Sequence, residues 1–392
     1  MRTTGQVRQL LILLFSMHRS RPYDALMIVT GFALAAATLT VMLSIPAGID
    51  RITRQTGQSD IALAMAANAV DESSSSLTQE QVAQLSHLPQ VALSADGQPQ
   101  IAPQFLATAR LPGADGQQGT VQLRGIDSRT WSLLDDEVVH ATARFEPGQR
   151  QWLGSATLAT QYPMLSDTAA ELLGSTWGRA GLMEAGGSIW ESELWLEQSA
   201  LRAAMNRPSG VSSVWIKLKA PGALDELISA AQADPRLEGV RIMGQMDYYQ
   251  QQMGFLTRLV TAAALGVSLL LGAGAALAIT TALDMVLDKR RHQLATLWAL
   301  GFNPKAIALA VLVDVATIGL LTSLAATALV RAVLDGAGFG TSGASQAVYA
   351  KFVIDSGVVA AVLAYTVLLA LLGAALPLHR TISGGLAHGL KR

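Results

Sequence analysis

Cysteine is absent from the 392 residues, which excludes a disulfide framework, a thiolate nucleophile and any cysteine-ligated zinc or iron–sulfur centre. Charge is scarce: Asp, Glu, Lys and Arg make up 15% of the chain, against about 25% in an ordinary soluble domain. A purely water-soluble protein is therefore a poor fit. The formal net charge is −1, so no global basic field gathers nucleic acid, which is not an expected partner. Motifs of known chemistries are missing too: no G-x-x-x-x-G-K-[ST] phosphate loop, no H-E-x-x-H and no G-x-S-x-G occurs. His18, His87, His140, His292, His379 and His388 are scattered, with no two at helical i, i+3 or i+4 spacing. No metal site, catalytic residue or cofactor of the chain's own is expected. The acid pairs Asp135/Asp136 and Glu191/Glu193 read as ordinary surface solvation.

Apolar residues, by contrast, make up 51% of the chain. Ala25–Ile49 and Leu259–Leu283 are 25-residue runs without a formal charge, Ala306–Val330 is broken only by Asp314, and Ser356–Leu378 carries none. A 25-residue run reaches about 37 Å as a helix, and a bilayer core needs roughly 30 Å. Four such runs predict transmembrane helices at 24–49, 255–283, 306–330 and 353–378. The first is too long and too far from the N-terminus for a cleaved signal peptide. Before it, residues 1–23 set Arg8, Arg19 and Arg21 beside Leu10, Leu11, Leu13 and Leu14. That pattern suits an amphipathic helix on the inner membrane surface, with a disordered leader as the alternative.

Positive residues near the spans orient the chain. Arg2, Arg8, Arg19 and Arg21 precede the first span, Lys289, Arg290, Arg291 and Lys305 fall in the segment 284–305, and Arg380, Lys391 and Arg392 occupy the tail 379–392. All three segments belong in the cytoplasm. The insert 50–254 and the short Gly/Ser/Ala-rich loop 331–352 then lie outside. The insert holds 14 basic and 23 acidic residues, a net −9, and the rest of the chain holds 14 and 6, a net +8. Asp314 admits two readings: a functional carboxylate within the membrane, or a side chain that reaches the interface or bonds a neighbouring helix.

At 205 residues the insert is a domain of one or two subdomains. Asp71–Ser76 reads as a solvated linker, and Leu77, Thr78, Gln81 and Val82 form a helix start with a capping box and staple. Val214, Ile216 and Leu218 alternate with Trp215, Lys217 and Lys219 as in a half-buried strand. Pro221–Ala233 has helical spacing and Gly239–Met243 supplies a second strand, a β-α-β unit. Gln100–Trp195 is turn-rich, with short strand candidates such as Thr120–Arg124 and no traceable topology. The fold class is thus an integral membrane α-helical protein with four transmembrane helices and a large α+β domain between the first and second.

The cytoplasmic segment is more specific. LDKRRHQLATLWALGFNPKAI, Leu287–Ile307, resembles the segment after the second span in MacB/FtsX-like ABC-transporter permeases, whose pattern is roughly R-x-x-E-I-G-x-L-R-A-L-G. Arg290, Arg291, Leu294, Leu297, Ala299, Leu300 and Gly301 match it. Leu294, Leu297, Trp298 and Gly301 also trace one side of a short helix, with Asn303 and Pro304 placed to start the next. EAGGSIWESELW (Glu184–Trp195), DYYQQQ (Asp247–Gln252) and SLTQEQVAQLSHLPQV (Ser76–Val91) are similar to extracytoplasmic segments of the separate-permease, DevC-like branch. The chain departs from the family with Gln293 for Glu, Trp298 for Arg, and Thr280–Thr281 for Asn-Thr.

The resemblance implies a permease of a type VII, mechanotransmission ABC system in the bacterial inner membrane, with both termini cytoplasmic. Two permease subunits, as a hetero- or homodimer, would pair with two copies of a separate ATPase that binds ATP-Mg. This chain would not itself be an enzyme. ATP-driven closure would pass through long helices to a periplasmic MacB-like domain and drive efflux or export, with a periplasmic adaptor and an outer-membrane channel as partners. Lipoprotein release and control of a cell-wall hydrolase are alternatives within the family, and a membrane-tethered sensor is one from a different class. Arg290, Arg291, Leu294, Leu297, Trp298, Leu300 and Gly301 would form the ATPase-coupling surface. Trp190, Glu191, Glu193 and Trp195 are the periplasmic candidates. Asp247–Leu283 contains no proline, so it can extend the second span as one helical stalk, as Arg51–Gln55 can extend the first.

Overall fold

The computed structural model describes residues 22–135, 137–289, 296, 300, 302–342 and 347–383. They divide into two compact units: a helical unit drawn from residues up to 47, 258–337 and 352 onward, and an insert unit of residues 48–257 together with 338–351.

Four helices are long and apolar enough to cross a membrane: Pro22–Gln55, Gln245–Lys289, Pro304–Leu334 and Ser356–Ser383. The third starts where the sequence provides a cap. Asn303 Oδ1 accepts from the Lys305 N–H at 2.9 Å, and Pro304 fills the first helical position, where its missing N–H matters least. The second is one uninterrupted helix of 45 residues, about 67 Å at 1.5 Å per residue. Its first turns belong to the insert unit and the rest to the helical unit.

Within the helical unit, Ile28, Phe32 and Ala35 of the first helix pack with Ile279 and Leu283 of the second, Val311 and Val315 of the third, and Leu369, Ala370 and Ala374 of the fourth. Hydroxyls link the helices. Thr40 and Thr327 meet at 3.2 Å, Thr366 Oγ1 donates to Ser323 Oγ at 2.7 Å, and Tyr365 donates to the Ser268 carbonyl at 2.6 Å. Thr280, at the position where the resembled family has Asn, donates to the Gly373 carbonyl at 2.8 Å.

The insert is built on strands β1 (Ile61–Ala66), β2 (Ile101–Pro112), β3 (Gln118–Ile126), β4 (His140–Ala141), β5 (Gln151–Gly154), β6 (Ala169–Leu172), β7 (Ser175–Glu184), β8 (Glu193–Glu197), β9 (Ser213–Lys217) and β10 (Val240–Gly244). They form one mixed sheet in the order β10-β1-β9-β2-β3-β8-β5-β7-β4, with β6 paired to β7. β3/β8 and β5/β7 are parallel. Two apolar cores share this sheet because β2 spans both: Ile101–Gln104 pairs with β9, and Phe105–Pro112 pairs with β3.

The expected β-α-β unit exists as β9, the helix Leu224–Ala233 and β10, but β1 lies between the two strands and antiparallel to both. The capping box of the helix Gln79–Ser86 is present, with Thr78 and Gln81 each accepting from the other's backbone N–H. Three expectations are corrected. Asp71–Ser76 is not a solvated linker: Glu72–Ser74 is a 3₁₀ turn and Glu72 is buried, because an arginine from β3 waits for it inside. Trp215 does not face water, since aromatic side chains cover that face of β9 as well. The loop 331–352 contains a β-hairpin, β11 (Gly338–Ser342) and β12 (Ala347–Lys351), whose two strands belong to the insert unit.

Candidate functional site: a buried charged and aromatic cluster

The backbone register brings distant charges together. β3 runs parallel to β8 with Gln122 opposite Glu193 and Arg124 opposite Trp195. Glu72 is delivered by its 3₁₀ turn, which Asp71 caps by accepting from the Ser74 N–H at 2.8 Å.

Arg124 is 0% exposed and uses its whole guanidinium fork. Nε and Nη2 donate to the two oxygens of Glu193 at 2.6 and 2.9 Å, and Nη1 and Nη2 donate to those of Glu72 at 3.2 and 2.9 Å. Ser213 Oγ donates to Glu72, and Trp195 Nε1 donates to Glu193 at 3.1 Å. Such planar bidentate pairing suits arginine and not lysine. The Arg124 guanidinium also lies 5.1 Å above the Trp215 ring centre. Around it Trp190 packs against Trp195, Trp215 and Tyr249 with ring centres 6.2, 5.6 and 6.1 Å apart.

One guanidinium cannot neutralise two carboxylates. Burial pushes the Glu193 carboxyl above the usual carboxylate range, against the pull of Arg124. Burial opposes the charge of Arg124, yet Glu193 and Glu72 hold its pKa well above the ordinary value. Burial likewise pushes Tyr248 and Tyr249 up, so both stay neutral hydroxyls. Sealed from water, with its charged groups paired to one another, the cluster is suited to holding elements together and not to turning over a substrate.

What it holds is the start of the second long helix. Tyr248 OH accepts from the Glu72 N–H at 3.0 Å, and Tyr249 OH accepts from Trp190 Nε1 at 3.0 Å. Gln245 Oε1 accepts from the Gln58 N–H at 2.9 Å, and Thr56 Oγ1, just beyond the first long helix, accepts from the Ile189 N–H at 2.9 Å.

Of the residues singled out in the sequence, Trp190, Glu193 and Trp195 meet in this cluster. Glu191 does not: it closes its own loop, accepting from the Ala185 and Gly187 N–H groups at 2.9 Å each. Glu193 overturns the surface-solvation reading, being 1% exposed. Asp314 is nearly buried within the third helix. Arg290, Arg291, Leu294, Leu297, Trp298 and Gly301 lie outside the described residues, and Leu300 is exposed. Glu72, Arg124, Trp215, Tyr248 and Tyr249 were not singled out as site residues. The available signal was the Tyr-Tyr pair at the head of a proline-free helix. Among the described residues no group of His, Asp and Glu could hold a metal ion.

These features define a multi-pass membrane protein with a mixed α/β domain between its first two apolar helices. Residues 265–385, from within the second long helix to the end of the fourth, match the family model for the FtsX-like permease C-terminal domain. Over that span the chain is similar to the C-terminal domain of FtsX-like permeases. No curated protein matches the chain. Among solved structures it is similar to the extracellular domain of the noncanonic ABC-type transporter YknZ from Gram-positive bacteria, at 13% identity and TM-score 0.35, covering 47% of this chain and 100% of that one. It is also similar to the periplasmic region of MacB from Actinobacillus actinomycetemcomitans, at 13% identity and TM-score 0.36, covering 53% and 97%.

Proposed function

We propose that the chain is the permease subunit of an ABC transporter in the bacterial inner membrane. It transmits the ATP-driven closure of a separate cytoplasmic ATPase to a periplasmic insert that drives efflux or export. The observation that carries this reading is the FtsX-like permease match over 265–385. The helix Gln245–Lys289 agrees with it, being unbroken from the insert's buried cluster to the segment before Arg290. The cytoplasmic segment containing Leu294, Leu297, Trp298 and Gly301 docks the ATPase, and the ATPase binds ATP-Mg. A second permease subunit completes the membrane assembly, and a periplasmic adaptor and an outer-membrane channel complete the export route.

The test is gentle purification of the tagged chain, identification of companions by mass spectrometry, and vanadate-sensitive ATP hydrolysis with and without Leu297→Glu and Gly301→Arg. An ATPase subunit that co-purifies and is lost in both variants is the expected result. The folded chain alone, without an ATPase, would favour a membrane-tethered sensor.

A further inference from the structure

The hairpin β11–β12 arises between the third and fourth long helices, yet it is seated in the insert unit. Tyr349 of β12 is its main contact. Its hydroxyl donates to the Tyr162 hydroxyl at 3.0 Å, the two rings meet edge to face at 6.2 Å, and its N–H donates to Ser192 Oγ at 3.0 Å. Burial pushes the Tyr349 hydroxyl's pKa up, consistent with its partial enclosure by the core around Trp152 and Trp177. A second contact is steric. The carbonyl of Lys351 lies so close to Gly48 that any side chain there would collide with it, so the first long helix keeps a glycine where the hairpin backbone crosses.

The residues touched by Tyr349 are adjacent to the buried cluster. Ile189–Ser192 is a 3₁₀ turn in which Ile189 bonds Thr56, Trp190 bonds Tyr249 and Ser192 bonds Tyr349, and Glu193 follows with its pair to Arg124. One five-residue segment therefore meets the chain after the first long helix, the head of the second, and the connection between the third and fourth. We infer that β11–β12 is a mechanical latch on the insert, held by Tyr349 at the junction Ile189–Glu193, and that the third and fourth long helices act on the insert through it. This rests on the permease reading and adds a second input beside the helix Gln245–Lys289.

The chain's lack of cysteine makes the test clean. In the purified assembly, Tyr162→Cys and Tyr349→Cys are joined by a short, reducible bifunctional thiol linker, and vanadate-sensitive ATP hydrolysis is measured before linking, after linking and after reduction. Fixing the latch is expected to lower hydrolysis about tenfold, a typical coupling between distant sites, and reduction to restore it. Full hydrolysis in the linked protein overturns the latch and leaves the permease reading intact. Absence of any co-purifying ATPase overturns both. A milder variant, Tyr349→Phe, keeps the ring and deletes one hydrogen bond. It is expected to speed amide exchange of residues 338–351 about fivefold, the effect of roughly 1 kcal/mol, while β1 is unaffected. Unchanged exchange in the hairpin would remove Tyr349 from its role.

Discussion

The insert and the helical unit treat buried polarity in opposite ways. The insert buries an arginine and two glutamates, Arg124, Glu72 and Glu193, and surrounds them with tryptophan and tyrosine. The helical unit, where Asp314 is the one buried formal charge among the described residues, joins its helices inside through neutral hydroxyls, Thr40 to Thr327, Thr366 to Ser323 and Tyr365 to a backbone carbonyl, and keeps its Arg380–Asp284 pair at the exposed surface. The difference follows from the solvent. Collapse of a water-facing domain is driven by the hydrophobic effect, which can offset the desolvation of a well-paired ion cluster. Between lipid-facing helices that driving force is absent, so close approach and small hydrogen bonds must hold the helices together. Gly319 and Gly272 show the close approach: a methyl at the first would collide with the Phe32 ring, and at the second with the Tyr365 hydroxyl.

The contrast breaks most visibly at Arg124. Arg124→Met leaves two carboxylates in a sealed core and should destabilise the insert by about 3–5 kcal/mol. Denaturant unfolding of the detergent-solubilised chain, followed by tryptophan fluorescence, would register the loss. A shift below about 1 kcal/mol, the range of an exposed pair, would mean that the cluster is hydrated. In the helical unit, Gly319→Leu forces side chains into the Phe32 contact and should cost about 1–3 kcal/mol. Protease sensitivity of the helices should rise, and the fluorescence transition of the insert should stay in place. A matching shift of that transition would show that the two units unfold as one.

Acidity sharpens the comparison further. Glu193 has its pKa raised in the fold, so its contribution is fully present below the unfolded carboxylate value and is lost as pH rises through the folded value. The insert should therefore gain stability from Glu193 as pH falls from 8 toward 4.5, and Glu193→Gln should flatten that trend in unfolding midpoints taken across the range. The smallest effect belongs to the membrane hydroxyls. Thr366→Val should cost about 0.6 kcal/mol, read from the thermal midpoint in detergent, and a loss of several kcal/mol would contradict the view that these bonds are weak glue.

Legibility in the sequence divides along the same line. Uncharged runs are a local signal, and all four long helices are where such runs lie. So are the Thr78/Gln81 capping box and the Asn303 cap, because each partner is within three residues of the other. The buried cluster is not local: Arg124 is 52 residues from Glu72, 69 from Glu193 and 125 from Tyr249. A lone glutamate in a serine run reads as solvated until the fold supplies its arginine. Trp215 misled in the same manner, since an alternating pattern implies one wet face and the second cover on β9 comes from Trp190. The hairpin was hidden by composition, because Gly338–Ser342 offers one large apolar side chain, Phe339.

On the proposed function, motion reaches the buried cluster along the uninterrupted helix Gln245–Lys289. The most direct test is hydrogen–deuterium exchange of residues 185–195 in the assembled complex, with and without ATP and vanadate, in the native chain and in one carrying two glycines inserted near Gln251. Exchange at 185–195 is predicted to respond to nucleotide in the native chain and to lose that response in the insertion variant, while ATP hydrolysis persists. A response that survives the insertion undiminished would contradict the account.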